Sequence, residues 1–299
     1  MESGFAPERV DKQLQKLFPE LSSRHIEEAL EAGWVTVDGK KARKGDRVRG
    51  HQLNCYLLQE HITGLRTGNP DLKLSVIWEG KGEWIVDKPS GVPSHPLSLL
   101  DQNTPTQWAF AQNSEMWREF PSVQPTITPH RLDTGTSGLL VVCKTYESFL
   151  HWRGRFQAKA VHKKYFAWCF GKAASKSLQI ELPIAHSSSD PRLMVSVQDP
   201  AQEKVRPPIQ EALTLAKLIR EERGMSLWEI TCTTGVTHQV RVHMASQGLP
   251  LVGDSLYDPE YLKRPIRPQF HQLRAFELSW EGTTVVVPTE SFFACPATA

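Results

Sequence analysis

The apolar positions near the start of the chain follow a helical period. Val10, Leu14 and Leu17 lie at i, i+4 and i+7, which predicts a short amphipathic helix. Ser22 is a suitable N-terminal cap for a second helix, and Gly33 stands where that helix should end. The sequence therefore predicts two short helices within the first 33 residues.

The pattern then changes from a helical to an alternating period. Residues 35–37 read Val-Thr-Val and are followed by Asp38-Gly39, a dipeptide that favours the tight turn of a hairpin. Residues 52–58 predict another strand. We expect residues 1–60 to form a small α/β domain, residues 61–72 with their glycines and Asn69-Pro70 to be a linker, and residues 73–299 to be a second domain.

The remainder of the chain predicts short strands mixed with a few helices. Apolar or aromatic strands are expected at residues 83–87, 138–143, 164–170 and 226–233, and helices near residues 106–111 and 146–153. These elements do not alternate as regular βαβ units. The expected fold class is α+β, with a mixed, largely antiparallel sheet in the second domain.

Composition narrows the class of protein only modestly. Of the 299 residues 39% are hydrophobic and 23% are charged, the net charge is +2, and five cysteines are scattered without paired spacing. No apolar run approaches the ~20 residues of a membrane span, and no secretory signal is visible. We expect a cytoplasmic monomer without disulfides, metal or membrane contact. His238 and His243 lack the ligand spacing of a zinc site.

The distribution of charge is more informative than its sum. Six basic residues stand between positions 40 and 49 against one acid, and five more stand between positions 151 and 164 with no acid. A basic run is often only a solvated face, but two such runs favour a phosphate-binding surface. The first run consists of Lys40, Lys41, Arg43, Lys44, Arg47 and Arg49.

The segment at residues 129–142 combines polar chemistry with a buried strand. One acid, Asp133, stands among glycines and hydroxyl residues on a loop that leads directly into the apolar run Leu139–Val142. Loops at strand ends often carry catalytic groups, although an aspartate there can equally be a turn residue. The residues alone leave both interpretations open.

Two stretches of motifs are similar to known families. Residues 8–58 resemble a small RNA-binding domain named after a small-subunit ribosomal protein, the S-four type, through Arg9-Val10-Asp11-Lys12 and the run from Gly33 to Lys40. The run from His130 to Leu140 resembles the signature of the RluA-type pseudouridine synthases. Three further stretches match that family in order: 86–91, 163–167 and 237–244 with 248–257.

This resemblance implies an isomerase that converts uridine in RNA to pseudouridine without a cofactor. It implies that Asp133 is the nucleophile, that Tyr165 stacks on the target base, and that Arg131 fills the space which the extruded base leaves. Arg241 is the expected cation beside Asp133, on a helix capped by Thr237. Taken alone, Arg241 would be interpreted as a surface residue.

Two positions depart from the family pattern. Val236 replaces a residue that is commonly basic, and Gly135 replaces one that is often acidic. Neither is the expected nucleophile, so the predicted activity stands, while contacts to substrate at these points are less defined.

Two other classes of function compete with the isomerase. One is a non-catalytic RNA-binding protein that uses only its first domain, and the other is a hydrolase that uses Ser137 with His130 or His238. The hydrolase lacks a GxSxG nucleophile elbow. For the isomerase, the first domain favours ribosomal RNA over transfer RNA as the partner, by analogy with family members that carry it.

Overall fold

The computed structural model describes residues 7–49, 52–120, 125–198 and 204–296. Its helices are α1 (Val10–Leu17), α2 (Ser23–Ala32), α3 (Tyr56–Thr67), α4 (Pro105–Gln112), α5 (Tyr146–Gln157), α6 (Gln239–Ser246) and α7 (Glu290–Phe293). Its first strands are β1 (Glu8–Arg9), β2 (Thr36–Val37), β3 (Lys40–Lys41), β4 (Arg47–Val48), β5 (Leu53–Asn54), β6 (Ser75–Glu79), β7 (Glu83–Lys88), β8 (Ser137–Cys143) and β9 (His162–Phe170). The later strands are β10 (Ser177–Ile180), β11 (Ile184–Ser187), β12 (Met194–Ser196), β13 (Val205–Gln210), β14 (Thr214–Glu222), β15 (Met225–Cys232), β16 (Leu273–Trp280) and β17 (Thr283–Val286).

The chain folds into two compact units that alternate along the sequence. The first takes the described residues within 1–73, 95–128 and 142–149, and the second takes those within 74–94, 129–141 and 150–299. The first unit is therefore larger than the stretch 1–60, because it also includes the segment that carries α4.

The local signals at the start of the chain have the predicted effects. The Ser22 hydroxyl accepts a hydrogen bond from the His25 amide at 3.1 Å and caps α2, and Gly33 ends α2 at φ +78°. Asp38 and Gly39 both have positive φ, +50° and +78°, in the turn between β2 and β3. These predictions from short-range pattern are confirmed.

The structure differs from the expected strand at 52–58 and the expected linker at 61–72. β5 is only two residues long, and α3 begins at Tyr56 and continues to Thr67. Leu58, Ile62 and Leu65 lie at i, i+4 and i+7 and are buried in one core with Leu99. Burial of this stripe accounts for a helix where the glycines suggested a flexible connection.

The second unit is organised around a large mixed sheet. In the part of the chain that the structure describes, the strand order is β10-β14-β15-β9-β16-β8-β7-β6, with β17 also paired to β16. The β8–β16 pairing is parallel, whereas β9, β14 and β15 pair antiparallel with their neighbours. This is the predicted α+β class with a mixed, largely antiparallel sheet.

The middle of this sheet brings distant parts of the sequence together. Ala275 on β16 lies opposite Tyr165 on β9 and opposite Gly138 on β8. A Cβ atom on Gly138 would lie 2.0 Å from the Ala275 carbonyl oxygen, so only glycine permits this approach. The loop before β8 is thereby placed one strand away from Tyr165.

Candidate active site

The loop that carries Asp133 is fastened to the segment that follows β7. The Ser94 hydroxyl donates to the Leu132 carbonyl at 2.6 Å and accepts from the Leu132 amide at 2.8 Å. The Gly91 amide donates to the Thr134 carbonyl at 2.8 Å. Both neighbours of Asp133 are thus held by hydrogen bonds from one segment, which fixes where the carboxylate stands.

Lys88, at the end of β7, supports the same loop. Its fully buried ammonium group donates to the carbonyls of Val92 at 2.7 Å, Pro89 at 3.1 Å and Thr134 at 3.3 Å. Burial lowers the pKa of Lys88 to about 7, although the carboxylates of Asp133 and Asp87 act in the opposite direction. The sequence motif contained this residue, but nothing in it indicated the role of a buried clamp.

Helix α6 carries the predicted cation. Its N-cap is His238 in the left-handed conformation at φ +58°, not Thr237 as expected, and the His238 side chain makes no capping hydrogen bond. Gly248 follows the helix at φ +72°, as predicted for its C-terminal end. Arg241, in the first turn of α6, is buried rather than on the surface.

The Arg241 guanidinium joins two carboxylates. Its Nε and Nη2 atoms donate to Asp254 at 2.7 and 2.8 Å, and its Nη1 atom donates to Asp133 Oδ2 at 3.0 Å. The two parallel hydrogen bonds that fit a guanidinium best therefore go to Asp254, and Asp133 receives one. The pairing of Arg241 with Asp133 was expected from the family resemblance, whereas the bidentate partner was not.

Asp254 is the residue that orients Arg241. Its side chain is fully buried, and its Oδ1 atom also accepts from the amides of Leu256 and Tyr257 at 3.1 and 3.2 Å. Burial would raise the pKa of Asp254, but hydrogen bonding to Arg241 and its charge hold that pKa below the usual range. Asp254 appears in the sequence motif without any signal of its partner, because the pair spans a loop after α6.

The balance of charges keeps Asp133 ionised. Burial would raise the pKa of this carboxyl, but the Arg241 guanidinium, and His238 in the acid range where its ring is protonated, lower it below its ordinary value. Burial lowers the pKa of His238, so at pH 7 its ring is neutral and Arg241 provides the cation. The arrangement presents a partly exposed carboxylate with one oxygen held by Arg241.

Tyr165 is buried in β9. Burial is the main cause that raises the pKa of its phenol, with further contributions from Cys232 and the Asp133 carboxylate. Tyr165 is therefore an uncharged phenol at neutral pH. It lies close enough to Asp133 for the carboxylate charge to affect the pKa of the phenol.

His271 lies beside Gly135, one of the two positions where the sequence differs from the family pattern. A Cβ atom on Gly135 would lie 2.8 Å from the His271 ring, so a side chain at that position requires the ring to move. His271 Nε2 lies 2.8 Å from the Thr136 hydroxyl, within hydrogen-bond distance. Burial lowers the pKa of His271 to about 4, so its ring is neutral at pH 7.

The predicted RNA-contacting residues are exposed. Arg131, two residues before Asp133 in the sequence, is exposed. In the first unit, Lys44 pairs with Glu27 at 3.1 Å and Lys41 donates to the Glu31 carbonyl at 2.5 Å. The remaining members of the cluster make no ion pair among the described residues, and they are Lys40, Arg43, Arg47 and Arg49.

Three members of the second basic run have partners within the protein. Arg155 pairs with Glu281 at 2.6 Å, Lys164 pairs with Glu277 at 3.1 Å, and the ammonium of Lys163 donates to the Thr234 carbonyl. These partners come from elements distant in sequence, which is why the run appeared unpaired. Only Arg153 and Lys159 of this run are left without such partners in the described part of the chain.

The hydrolase hypothesis has no matching geometry. His130 Nε2 accepts the Val141 amide at 3.0 Å, and burial lowers the pKa of His130 to about 3. Among the residues the structure describes, no hydrogen bond joins Ser137 to His130 or to His238. No group of three metal-ligating side chains is present in residues 7–49, 52–120, 125–198 and 204–296, and no helix there has the length and apolarity to cross a membrane.

Comparison with known proteins identifies the family. Residues 83–246 match the RNA pseudouridylate synthase family, and residues 8–53 match the S4 domain. The chain belongs to the RNA pseudouridylate synthase family and is an isomerase of that class with an S4 domain in front. The matched region includes Asp133, Tyr165 and Arg241.

Curated relatives and solved structures agree with this assignment. The chain is 31% identical over 255 residues to ribosomal large subunit pseudouridine synthase D of Xanthomonas campestris, covering 84% of this chain and 72% of the relative. The synthase D of Yersinia pestis is 29% identical over 92% of this chain and 87% of its own. The human RNA pseudouridylate synthase domain containing 1 has a similar fold, with a TM-score of 0.57 and 24% identity over 76% of this chain and 89% of its own.

Proposed function

We propose that this RNA pseudouridine synthase modifies uridine in large-subunit ribosomal RNA, with Asp133 as the nucleophile. The observation that carries the role of Asp133 is its partly exposed carboxylate, ionised and held by the buried Arg241–Asp254 pair. The preference for ribosomal RNA is supported by the printed names of the relatives and by the S4 match.

The reaction rearranges one nucleotide without adding or removing atoms. The bond between uracil N1 and ribose C1′ breaks, and a bond between C5 and C1′ forms. The hydrogen on C5 leaves as a proton, and N1 gains a proton, so the product is an isomer. A carboxylate nucleophile can make and release the covalent adduct that bridges the two stages.

The other site residues have roles that follow from their surroundings. Tyr165 offers an uncharged aromatic ring beside Asp133, suited to stack on the uracil. Arg131, exposed and two residues before Asp133, is placed to enter the space of the extruded base, whose removal from the stack costs a few kcal/mol. Lys40, Arg43, Arg47 and Arg49 are available for phosphate contacts.

We further propose residues 1–60 as the RNA-binding domain and residues 73–299 as the catalytic domain of a cytoplasmic enzyme that works as a monomer. Transfer RNA is the second candidate substrate, because the residues around Asp133 act on a single uridine in this proposal and do not themselves define the RNA. A non-catalytic RNA-binding protein is the competing class, and its RNA affinity would not depend on Asp133.

The test uses RNA that carries tritium on C5 of uracil. Only isomerisation releases this label to water, so release by the parent protein and none by Asp133→Asn supports the nucleophile. The uridine is then identified by mapping pseudouridine in ribosomal and transfer RNA from a strain that lacks this protein. Sustained label release by the Asn variant would contradict the assignment of Asp133.

A further inference from the structure

One histidine at the site has no part in the scheme above. His238 caps α6 and lies beside Asp133, with its Nε2 atom 3.9 Å from Asp133 Oδ2. That distance is too long for a hydrogen bond. The Nε2 atom therefore lies near the Asp133 carboxylate without a hydrogen bond to it, and both side chains are partly exposed.

A second contact favours one nitrogen of His238 as the site of the proton. His238 Nδ1 lies 2.8 Å from the Tyr257 hydroxyl, and the same hydroxyl oxygen accepts the Met194 amide at 2.9 Å. If Nδ1 carried the proton, this oxygen would accept twice and its own hydrogen would have no acceptor, so we assign that hydrogen to a bond with His238 Nδ1. Among the described residues, no other acceptor for the Tyr257 hydroxyl is within hydrogen-bond distance.

The consequence is a defined tautomer. A neutral imidazole carries one proton, and if Nδ1 accepts from Tyr257, the proton is on Nε2. The ring is neutral at pH 7 because burial lowers the pKa of His238; Arg241 and Arg131 lower it too, and Asp133 and Asp254 oppose them. His238 then presents a single N–H donor beside Asp133.

We propose that His238 is a further catalytic residue, donating a hydrogen bond from Nε2 to a uracil carbonyl oxygen, and that Tyr257 is the positioning residue that fixes its tautomer. The inference rests on the proposed function. Attack at the sugar releases uracil with negative charge shared between N1 and O2, and attack at the ring places negative charge on O4. Either route develops charge on an oxygen that a fixed donor stabilises.

Tyr257→Phe separates this role from others of the same side chain. The Tyr257 ring lies 5.0 Å from the Arg241 guanidinium, and phenylalanine keeps that ring contact while it removes only the hydroxyl. His238→Ala removes the donor, whereas His238→Gln returns an amide N–H of similar reach. Tyr146→Phe and His162→Ala, both on exposed side chains, are the matched controls.

The experiment measures single-turnover rates at saturating RNA, RNA dissociation constants and the ¹⁵N shifts of His238. Loss of one such donor lowers the rate by on the order of 10²-fold, so His238→Ala should show a drop of this size with RNA affinity within about twofold. His238→Gln should recover part of it, and Tyr257→Phe should lose about five- to tenfold. The ¹⁵N shifts should show a protonated Nε2 in the parent and mixed tautomers in Tyr257→Phe.

The double variant provides the decisive comparison. If Tyr257 acts through His238, Tyr257→Phe costs nothing more once His238 is alanine, and the double variant matches His238→Ala within about twofold. Additive losses, an Nδ1-protonated ring in the parent, or a near-parental rate for His238→Ala would overturn the inference. Label release by the parent and its loss in Asp133→Asn test the proposed function separately.

Discussion

The site around Asp133 and the exposed basic cluster of the S4 domain, Lys40, Arg43, Arg47 and Arg49, differ in how their charges are paired. Arg241 is buried between Asp133 and Asp254, and each of its three guanidinium nitrogens donates to a carboxylate. Lys40, Arg43, Arg47 and Arg49 are exposed without ion pairs among the described residues. A buried, paired charge sets geometry and pKa, whereas an exposed charge remains available to a polyanion.

The comparison explains why the two regions should fail differently when they are changed. Removing a partner from the buried set leaves a charge with neither water nor a counterion, which is costly. Removing one exposed charge removes only the attraction between that side chain and the RNA phosphates, and salt screens this attraction. Catalytic rate should depend on the first region and salt-dependent affinity on the second.

The largest effect is expected from Asp133→Asn. The amide keeps the shape and the hydrogen bond to Arg241 but cannot form the covalent adduct, so turnover should be abolished. RNA affinity should stay within a few-fold of the parent, because binding depends mainly on contacts that other residues make to the RNA backbone. Tritium release and a filter-binding titration measure the two quantities, and parallel losses of rate and affinity would contradict the division of roles.

Arg241→Lys comes next in size. An ammonium keeps the charge but cannot hold Asp254 through two hydrogen bonds and Asp133 through a third. The single-turnover rate should fall by on the order of 30- to 1,000-fold, equivalent to ~2 to 4 kcal/mol. The control is Arg155→Lys, whose partner Glu281 is exposed.

The pH profile sharpens the same experiment. Asp133 must be ionised to attack, so activity is present above its pKa and lost as the pH falls through it. Arg241 is one of the groups that lower this pKa, so the acid limb of the rate profile should move to higher pH in Arg241→Lys. A near-parental rate with an unmoved acid limb would remove Arg241 from the site.

A moderate effect is expected from the exposed basic cluster. Replacing Lys40, Arg43, Arg47 and Arg49 together by alanine should lower the log–log salt slope of RNA binding by about 0.7 to 0.9 for each phosphate that is no longer neutralised. Lys44→Ala is the matched control, because Lys44 already pairs with Glu27. The rate at saturating RNA should not change, and an unchanged slope would show that this surface does not bind RNA.

Substitution in the basic cluster tests RNA binding more specifically than removal of residues 1–60. Leu58 in α3 lies in the core that includes Leu99 and the apolar residues of α1 and α2. A cut at residue 60 divides α3 and exposes this core. Weaker binding by such a truncation would therefore report on folding as well as on RNA contacts.

The smallest effect is expected from Gly135→Ala. The added methyl would lie 2.8 Å from the His271 ring, and strain of this kind typically costs about 1 to 3 kcal/mol of stability. Thermal unfolding measures the loss. The double variant Gly135→Ala/His271→Ala should have a higher unfolding midpoint than the sum of the two single losses predicts, because the alanine at 271 removes the clash. Strictly additive losses would show that the two positions do not interact.

Sequence information was sufficient where the cause of structure was local. Ser22, Gly33 and the Asp38-Gly39 turn act on their own neighbours, so their predictions are confirmed. Helix α3 was missed because Gly64 and Gly68 outweighed an apolar stripe, Leu58, Ile62 and Leu65, that becomes evident only when its core is known. The fold class followed from the mixture of short strands and helices.

The same distinction between local and long-range causes applies to the residues of the site. The run around Asp133 and the position of Arg241 were identified by family resemblance, and the structure places their side chains 3.0 Å apart. Asp254, Lys88 and His271 were not identified, because each acts through an interaction that the fold creates between distant segments. A buried aspartate, a buried lysine and a buried histidine have no signature in sequence that separates them from exposed ones.

The hydrogen bonds that fasten Leu132 and Thr134 have a consequence for the kinetics of binding. A loop that is already ordered loses little conformational entropy when RNA arrives, since that loss of about 1 to 2 kcal/mol per residue occurs at folding instead. Encounter with RNA then need not wait for the nucleophile to be assembled. The amide of Leu132 should accordingly exchange with solvent deuterium only through larger openings of the surrounding unit, at the same slow rate with and without RNA.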